Sequence, residues 1–406
     1  MTPPLASGVD FLEAPLLALG LVLVLGALVT GIARRSLLSL TAVYVVVGFV
    51  LGDGATGALD LDPRSGFVQG LAVVALVLIL FRDGLEVEEE ALTRQWHLPL
   101  RKLVLAMPLT AALVALITHV VTDLDWTESF LLGALLSPTD PVLSSSVVTN
   151  PRVPRVIRDS LNLESGLNDG LALPAVLAFT VAAAGDQDFV WWRFVLQDVG
   201  LGLLIGLAVA FLASRLMPRS SALGHPISAH QKAMYALGVA FTAYGAAVLP
   251  NGNGLIAVFV GAIALGLWRP DIRESFETRA EDILELVKLG VFLVFGAILT
   301  FHGLFHDGWA AVAIVAFTLL AARPVAVFAA LAGTRLDTAE KGFMSWFGPK
   351  GVATMTFALL VLGSDVANGS RIANIAALAV VTSVIAHGLT DHPGAEWIAR
   401  RAERTT

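Results

Sequence analysis

Apolar runs long enough to cross a membrane recur along almost the whole chain, and they constrain its fold more than any other feature. A helix crosses about 30 Å of hydrocarbon with roughly 17 to 25 apolar residues. Thirteen such runs are present in a chain that is 56% hydrophobic and 15% charged, which is typical of a multi-pass membrane protein. We place them at residues 11–33, 36–52, 66–82, 102–121, 127–149, 158–184, 193–216, 229–249, 252–268, 283–304, 308–331, 341–363 and 369–390.

No extramembrane domain or Gly/Ser-rich linker separates these runs, so we expect one all-α membrane domain over residues 1–406. The odd number of spans suggests two six-span halves joined by a linking helix, an arrangement that transporters build by inverted repetition. The boundaries that follow are 1–190 for the first repeat, 191–220 for the linking helix, 225–390 for the second repeat and 391–406 for a short cytoplasmic tail.

Basic residues orient the predicted bundle. Most of the 26 Lys and Arg residues fall in connections that follow odd-numbered spans, Arg101 and Lys102 among them. Because Lys and Arg accumulate on the cytoplasmic side, we expect the N-terminus outside and the C-terminus in the cytoplasm. The eight histidines lie mostly in loops or near span ends, and the absence of cysteine excludes thiolate chemistry and disulfides.

The fifth span is interrupted by two prolines, Pro138 and Pro141, which flank Asp140. Proline lacks an N–H donor and clashes with the carbonyl four residues earlier, so the carbonyls of Ala134 and Ser137 should be free. Such oxygens suit a hard cation. The charge of Asp140 would complement the positive end of the half-helix that follows. A simple proline kink with a capping Asp is the alternative.

A matching break occurs in the twelfth span, where residues 348–351 read GPKG and include Lys350. The fifth and twelfth spans occupy corresponding places in the two expected halves. Two helices interrupted at corresponding places indicate a binding site near the middle of the membrane.

The sixth span carries a polar stripe formed by Glu164, Ser165, Asn168 and Asp169. Residues four apart share one face of a helix, so Ser165 stacks with Asp169 and Glu164 with Asn168. A carboxylate in hydrocarbon is costly, which makes these acids a functional-site hypothesis. Burial favours the protonated form and a bound cation favours the ionised form, so proton and cation would compete for the same oxygens. A polar seam that joins helices is the structural alternative.

Two basic residues inside apolar spans, Arg323 and Lys350, are candidate partners for these acids, because buried charges are tolerated only when paired. The three carboxylates of the fifth and sixth spans exceed the two cations by one negative charge. One proton or one monovalent cation would neutralise it. Lys288 would cancel it by pointing inward, but we expect its side chain to extend to the interface.

Several motifs together resemble the monovalent cation/proton antiporter superfamily, in the branch of bacterial sodium/proton antiporters and animal sodium/proton exchangers. The most specific are SPTDP at 137–141 and ESGLNDG at 164–170, which has Asn-Asp where the electrogenic branch has Asp-Asp. Weaker matches, in the same order along the chain, are FRDGLEV at 81–87, VFLVFGAIL at 291–299, ARP at 322–324 and FGPKG at 347–351.

The resemblance implies thirteen helices in a core domain and a dimerisation domain, with two crossed, broken helices at the ion site. It also implies a homodimer in a bacterial cell membrane and an elevator-like movement of the core. Such a protein is a secondary transporter and not an enzyme. It needs lipid, a monovalent cation and protons, but no cofactor and no nucleic acid.

By matching positions, the resemblance implies that Asp169 binds cation and proton alternately. One titratable site of this kind implies an electroneutral exchange that serves pH and sodium homeostasis. The other implied roles are Ser165, the Thr139 backbone and Asp140 near the ion, Asn168 orienting the broken helix, and Glu164 paired with Arg323. The chain departs from many relatives in having Lys350 where they have Arg, and Gly166-Leu167 before Asn-Asp.

Other functions remain open from the sequence. Na⁺ is the expected cation, but a K⁺/H⁺ antiporter of the same fold, or Li⁺ transport, fits the same residues. A membrane enzyme or sensor would need a nucleophile or a set of metal ligands near Asp169, and none is visible in the sequence. A channel would conduct without requiring protons.

Overall fold

The chain is helical throughout the part that the structure describes. This computed structural model describes residues 40–87, 96–140, 145–185, 190–218 and 227–405, together with Leu17, Gly20, Leu21 and Val24. The predicted span 11–33, the break residue Pro141 and the acidic residues 88–90 lie outside the described residues or almost entirely so. The helices are α1 Leu40–Leu51, α2 Gly66–Leu85, α3 His97–Val121, α4 Trp126–Leu135, α5 Ser145–Thr149, α6 Arg155–Ala183, α7 Trp191–Leu216, α8 Ala229–Val248, α9 Gly254–Trp268, α10 Pro270–Ile298, α11 Trp309–Ala330, α12 Thr338–Trp346, α13 Val352–Gly363 and α14 Gly369–Thr405. A single helical turn, Phe301–Leu304, lies between α10 and α11.

Three of these helices begin at a capping box, in which the N-cap side chain and the side chain three residues later bind each other's backbone N–H. The N-cap residues are Asp125 for α4, Ser228 for α8 and Asp337 for α12. A capping box satisfies N–H groups that have no partner within the helix. It therefore fixes where each helix begins.

Length and composition identify six described helices as able to cross a membrane, or seven spans if α9 and α10 are joined across their 118° bend. The predicted fifth span is divided between α4 and α5, and the predicted twelfth between α12 and α13. The chain is thus a multi-pass helical membrane protein with two interrupted spans.

Two helix boundaries differ from those in the sequence analysis. α10 begins at Pro270 rather than at residue 283, because proline is tolerated in the first turn of a helix, and Asp271 favours the positive N-terminus. Charged residues in its first half kept this segment out of the apolar run. α14 continues to Thr405, so the segment assigned to a tail is helical in the described chain.

Close helix packing relies on small residues, as is usual in membranes. A Cβ added at Gly206 of α7 would overlap the backbone of Ala257 in α9. One added at Gly296 of α10 would overlap the backbone of Val45 in α1. These contacts bring backbones together around a large apolar core that includes α2 and α9.

Candidate functional site

The two interrupted spans meet at their breaks. The backbone N–H of Asp140 donates to the carbonyl of Pro349 over 2.8 Å. The Asp140 carboxylate in turn accepts a longer bond, 3.4 Å, from the N–H of Val352 at the start of α13. A negative charge stabilises a helix N-terminus. The helix end that Asp140 faces here is therefore that of the other broken span, α13.

Lys350 fills the unwound part of the fifth span. Its side chain is fully buried, and its ammonium group donates to the carbonyls of Pro138 at 3.0 Å and Ser137 at 3.5 Å. The carbonyl of Ala134 accepts from the Ser137 hydroxyl at 3.0 Å. The expectation that the Ala134 and Ser137 carbonyls are free for a transported cation is therefore wrong, because protein donors already bind them.

Asn168 of α6 holds the backbone between the prolines. Its Nδ2 donates to the Thr139 carbonyl at 2.7 Å and to the Thr139 hydroxyl at 2.9 Å. One amide thus bonds two oxygens of the same residue, which fixes how the unwound segment sits against α6. The structure places Asn168 and Thr139 together.

Asp169 lies one residue further along α6 and is 5% exposed. Its Oδ1 is buried, and no described residue donates a hydrogen bond to it. Ser165 lies one turn earlier on the same helix face and is half-buried. A buried carboxylate oxygen without a donor is costly unless a proton or a cation binds it. The charged groups that act on Asp169 electrostatically include Asp83, Asp140, Lys288, Arg82 and Lys350.

Asp83, near the end of α2, is a buried carboxylate that was not among the predicted site residues. It is 6% exposed, and Arg82 Nη1 lies 3.2 Å from its Oδ1. The Asp83 carbonyl lies 3.5 Å from where a Cβ of Gly166 would be, so α2 and α6 approach closely here. The available signal was its place in the FRDGLEV motif at 81–87, which was noted only as a weak family match.

Glu164 bridges two buried cations. Arg323 Nη2 lies 3.1 Å from Glu164 Oε1, and Lys102 Nζ lies 2.6 Å from Oε2. Arg323 Nε also donates to the carbonyl of Ser345 at 3.1 Å. Lys102 is only 1% exposed. Lys102 therefore lies inside α3 and not in a connection between spans, and no feature of the sequence indicated its pairing with Glu164.

Including Lys102 changes the charge balance of the core. Arg82 is shared between two carboxylates, those of Asp83 and Glu86. The three carboxylates of the original count now face three cations, Lys102, Arg323 and Lys350, so these six groups have no surplus negative charge. Support for a single exchanging site therefore comes from the unpartnered oxygen of Asp169 and not from the charge count.

His387, near the end of the predicted span 369–390, connects both sides of the break in the twelfth span. It is 2% exposed, and its Nε2 lies 2.7 Å from the carbonyl of Trp346, where α12 ends. Its Nδ1 lies 3.1 Å from the Ser383 hydroxyl, which accepts from the backbone N–H of Lys350. α14 thus holds the end of α12 and the backbone of Lys350, two residues before α13 begins.

The crossing leaves no room for a side chain at Gly351. A Cβ there would overlap the Cβ and carboxylate of Asp140. We expect Gly351→Ala to displace Asp140, to lower the free energy of unfolding by about 1–3 kcal/mol and to reduce exchange strongly. Thermal unfolding and a proteoliposome flux assay measure the two effects.

The matched control is Gly342→Ala in α12, where the added Cβ would be 3.9 Å from the Phe328 ring, an ordinary contact. Equal behaviour of the two variants would show that the close approach at Gly351 has no functional importance.

The sequence matches a family model described as "Sodium/hydrogen exchanger, transmembrane" over residues 20–397. It is 24% identical to a K(+)/H(+) antiporter, NhaP, of Alkalimonas amylolytica, over 96% of this chain and 67% of that protein. It is also 24% identical to K(+)/H(+) antiporter NhaP2 of Shewanella sp. strain ANA-3, over 89% of this chain and 63% of the relative. The chain thus spans about two thirds of the length of these bacterial relatives. A probable Na(+)/H(+) antiporter of Schizosaccharomyces pombe is 26% identical over 72% of this chain and 41% of its own length.

The fold matches a solved structure of the sodium proton antiporter MjNhaP1 from Methanocaldococcus jannaschii at pH 8. The TM-score is 0.81 at 19% identity, over 95% of this chain and all of the other. An electron-microscopy structure of the same protein gives a TM-score of 0.75 at 20% identity, over 96% and 98% of the two chains. With the family model covering most of the sequence, the chain belongs to the sodium/hydrogen exchanger family.

Proposed function

We propose that this chain exchanges a cytoplasmic monovalent cation, Na⁺ in the first instance, for external protons. The observation that carries the proposal is the buried Oδ1 of Asp169, which accepts no hydrogen bond from any described residue. Burial favours a proton on this carboxylate, and a bound cation favours the ionised form. Proton and cation therefore displace each other at one group, which gives antiport when that group faces each side in turn.

The neighbours of Asp169 fit supporting roles in this proposal. Ser165 lies one helical turn before Asp169, and Thr139 is hydrogen-bonded to the adjacent Asn168, so both are candidates to supply oxygen ligands, and Asp140 adds negative charge. Asn168 holds the unwound segment in place. The pair of Glu164 and Arg323 keeps α6 and α11 together.

K⁺ is the second candidate cation, because several bacterial relatives are K(+)/H(+) antiporters by name. The yeast relative is a probable Na(+)/H(+) antiporter, and the proteins with the matching fold are sodium proton antiporters. These names divide between the two ions, so the choice between them is experimental.

The finer architecture belongs to the same proposal. It comprises thirteen spans in two inverted repeats, an external N-terminus, a cytoplasmic C-terminus and a homodimer in the cell membrane whose core moves like an elevator. Support comes from the breaks in two corresponding spans and from the distribution of Lys and Arg.

Reconstituted protein in vesicles with an imposed pH gradient tests the function. We expect proton efflux on addition of Na⁺, K⁺ or Li⁺, with saturation in at least one of them. An electroneutral exchange runs at the same rate whether the membrane potential is clamped at zero or not. Cation current without a proton requirement would instead identify a channel, and proton flux without cation dependence would contradict the antiport.

A further inference from the structure

Lys102 is a second cation for a carboxylate that already has one. Its Nζ lies 2.6 Å from Glu164 Oε2 and 3.2 Å from the Ser160 carbonyl, while Arg323 faces Oε1. Each oxygen of Glu164 thus has its own cation, and three helices, α3, α6 and α11, meet at one side chain.

Neutralising Glu164 does not require two cations. Arg323 alone balances its charge, and a lysine that is 1% exposed is costly to desolvate. The group of Lys102, Glu164 and Arg323 therefore carries one surplus positive charge inside the core. In a medium of low polarity such a charge acts over distances greater than a direct contact.

The backbone is adapted at both cations. Lys102 begins a wide π-helical turn in α3, Lys102–Ala106, and Arg323 directly follows another in α11, Thr318–Ala322. Such turns change the direction of the side chains beside them and are frequent at functional sites. Two separate helices thus carry the same distortion next to the same carboxylate.

The group is anchored on the helix that carries Asp169, because Glu164 lies on α6 five residues before Asp169. No described cation makes a direct ion pair with Asp169. We propose that Lys102 is a positioning residue for the exchange, which fixes Glu164 together with Arg323 and supplies the positive charge that lets Asp169 release its proton in the working pH range. The inference deepens the proposed function and depends on Asp169 as the exchanging group.

Other charged groups surround both Lys102 and Asp169. Lys102 faces Glu164 on α6 and lies near Arg323 on α11. Those acting on Asp169 include Asp83 and Arg82 from α2, Asp140 from the fifth-span break, Lys288 from α10 and Lys350 from the twelfth-span break. None of them is altered by a change at Lys102, so the effect of that charge is separable from theirs.

The test is exchange by Lys102→Gln, measured in proteoliposomes at several pH values and cation concentrations. We expect the pH profile to move toward alkaline pH by about half a unit to one unit, because Asp169 retains its proton more strongly. At the wild-type optimum, the apparent KM for the cation should rise about 3- to 10-fold, since proton and cation compete. The rate at saturating cation should be kept.

Three variants separate charge from structure. Lys102→Arg keeps the charge and should keep the wild-type profile. The double variant Lys102→Gln/Glu164→Gln restores the original net charge of the group and should return the pH profile toward wild type. If the single variant does not fold, the double variant still tests whether the net charge sets the pH profile. Arg101→Gln, an exposed neighbour that donates to the Ala332 carbonyl, should not move the profile.

A lower maximal rate at every pH, with no change in the pH profile or in apparent KM, would overturn the inference and leave Lys102 a structural tether. A profile for the double variant as shifted as that of a folded single variant would overturn it too. Failure of the wild-type protein to exchange any of the three cations would instead refute the proposed function itself.

Discussion

Asp169→Asn is expected to reduce cation-dependent proton flux to the level of protein-free vesicles. An amide neither ionises nor takes up an exchangeable proton, so the competition between proton and cation disappears. The substitution keeps the size of the side chain. It also removes a buried charge that has an unpartnered oxygen, so thermal unfolding should occur at the wild-type temperature or above it. The flux assay and a melting curve on the same preparation measure both effects.

Asp159→Asn is the matched control for this variant. It makes the same change in the same helix, at a half-exposed carboxylate that lies 3.1 Å from Arg155. Exposed pairs one helical turn apart contribute little, so flux should stay close to wild type. Wild-type flux in Asp169→Asn would exclude this residue as the exchanging group and with it the proposed mechanism.

Glu164→Gln should have the largest effect on stability, because it leaves two buried cations, Lys102 and Arg323, without a negative partner. Removing one partner of a buried ion pair typically costs about 3–5 kcal/mol, and here one substitution unpairs two charges. We expect a large fall in melting temperature in detergent and poor yield of folded protein.

Removing one of the stranded charges should recover part of the loss. Glu164→Gln/Lys102→Met is therefore expected to melt above Glu164→Gln alone. The exposed pair of Glu403 and Arg152 gives the control, and Glu403→Gln should change the unfolding free energy by about 0–1 kcal/mol. A Glu164→Gln variant as stable as Glu403→Gln would show that the buried cations do not depend on this carboxylate.

The residues that these experiments change differ in how well their roles can be predicted from the sequence. The polar stripe of Glu164, Asn168 and Asp169 stands out because carboxylates are rare in apolar spans, and helix periodicity puts them near one another. The breaks at Pro138 and at residues 348–351 are visible because proline and glycine interrupt helices for local reasons. The family, the multi-pass helical class and the exchange chemistry follow from these local features.

The contacts of Lys350 could not be predicted from local sequence. The sequence predicted that the freed carbonyls would bind a transported cation and that Lys350 would pair with a buried carboxylate. In the folded chain the ammonium group of Lys350 binds the carbonyls of Ser137 and Pro138, which come from a segment far away in sequence. Neither helix propensity nor hydrophobic periodicity predicts that contact, because it depends on how two interrupted helices cross.

The sequence by itself determined which residues are charged inside the membrane and which helices are broken, since both follow from the cost of polar groups in lipid and from proline chemistry. Only the tertiary structure decided how those charges are paired. Lys102 stands at the start of an apolar run, where a lysine is expected to reach the membrane interface. Asp83 stands just after an apolar run, where a carboxylate is expected to be solvated. The rotation of α3 and α2 against α6 turns both side chains inward, and helix rotation is set by packing between segments distant in the chain.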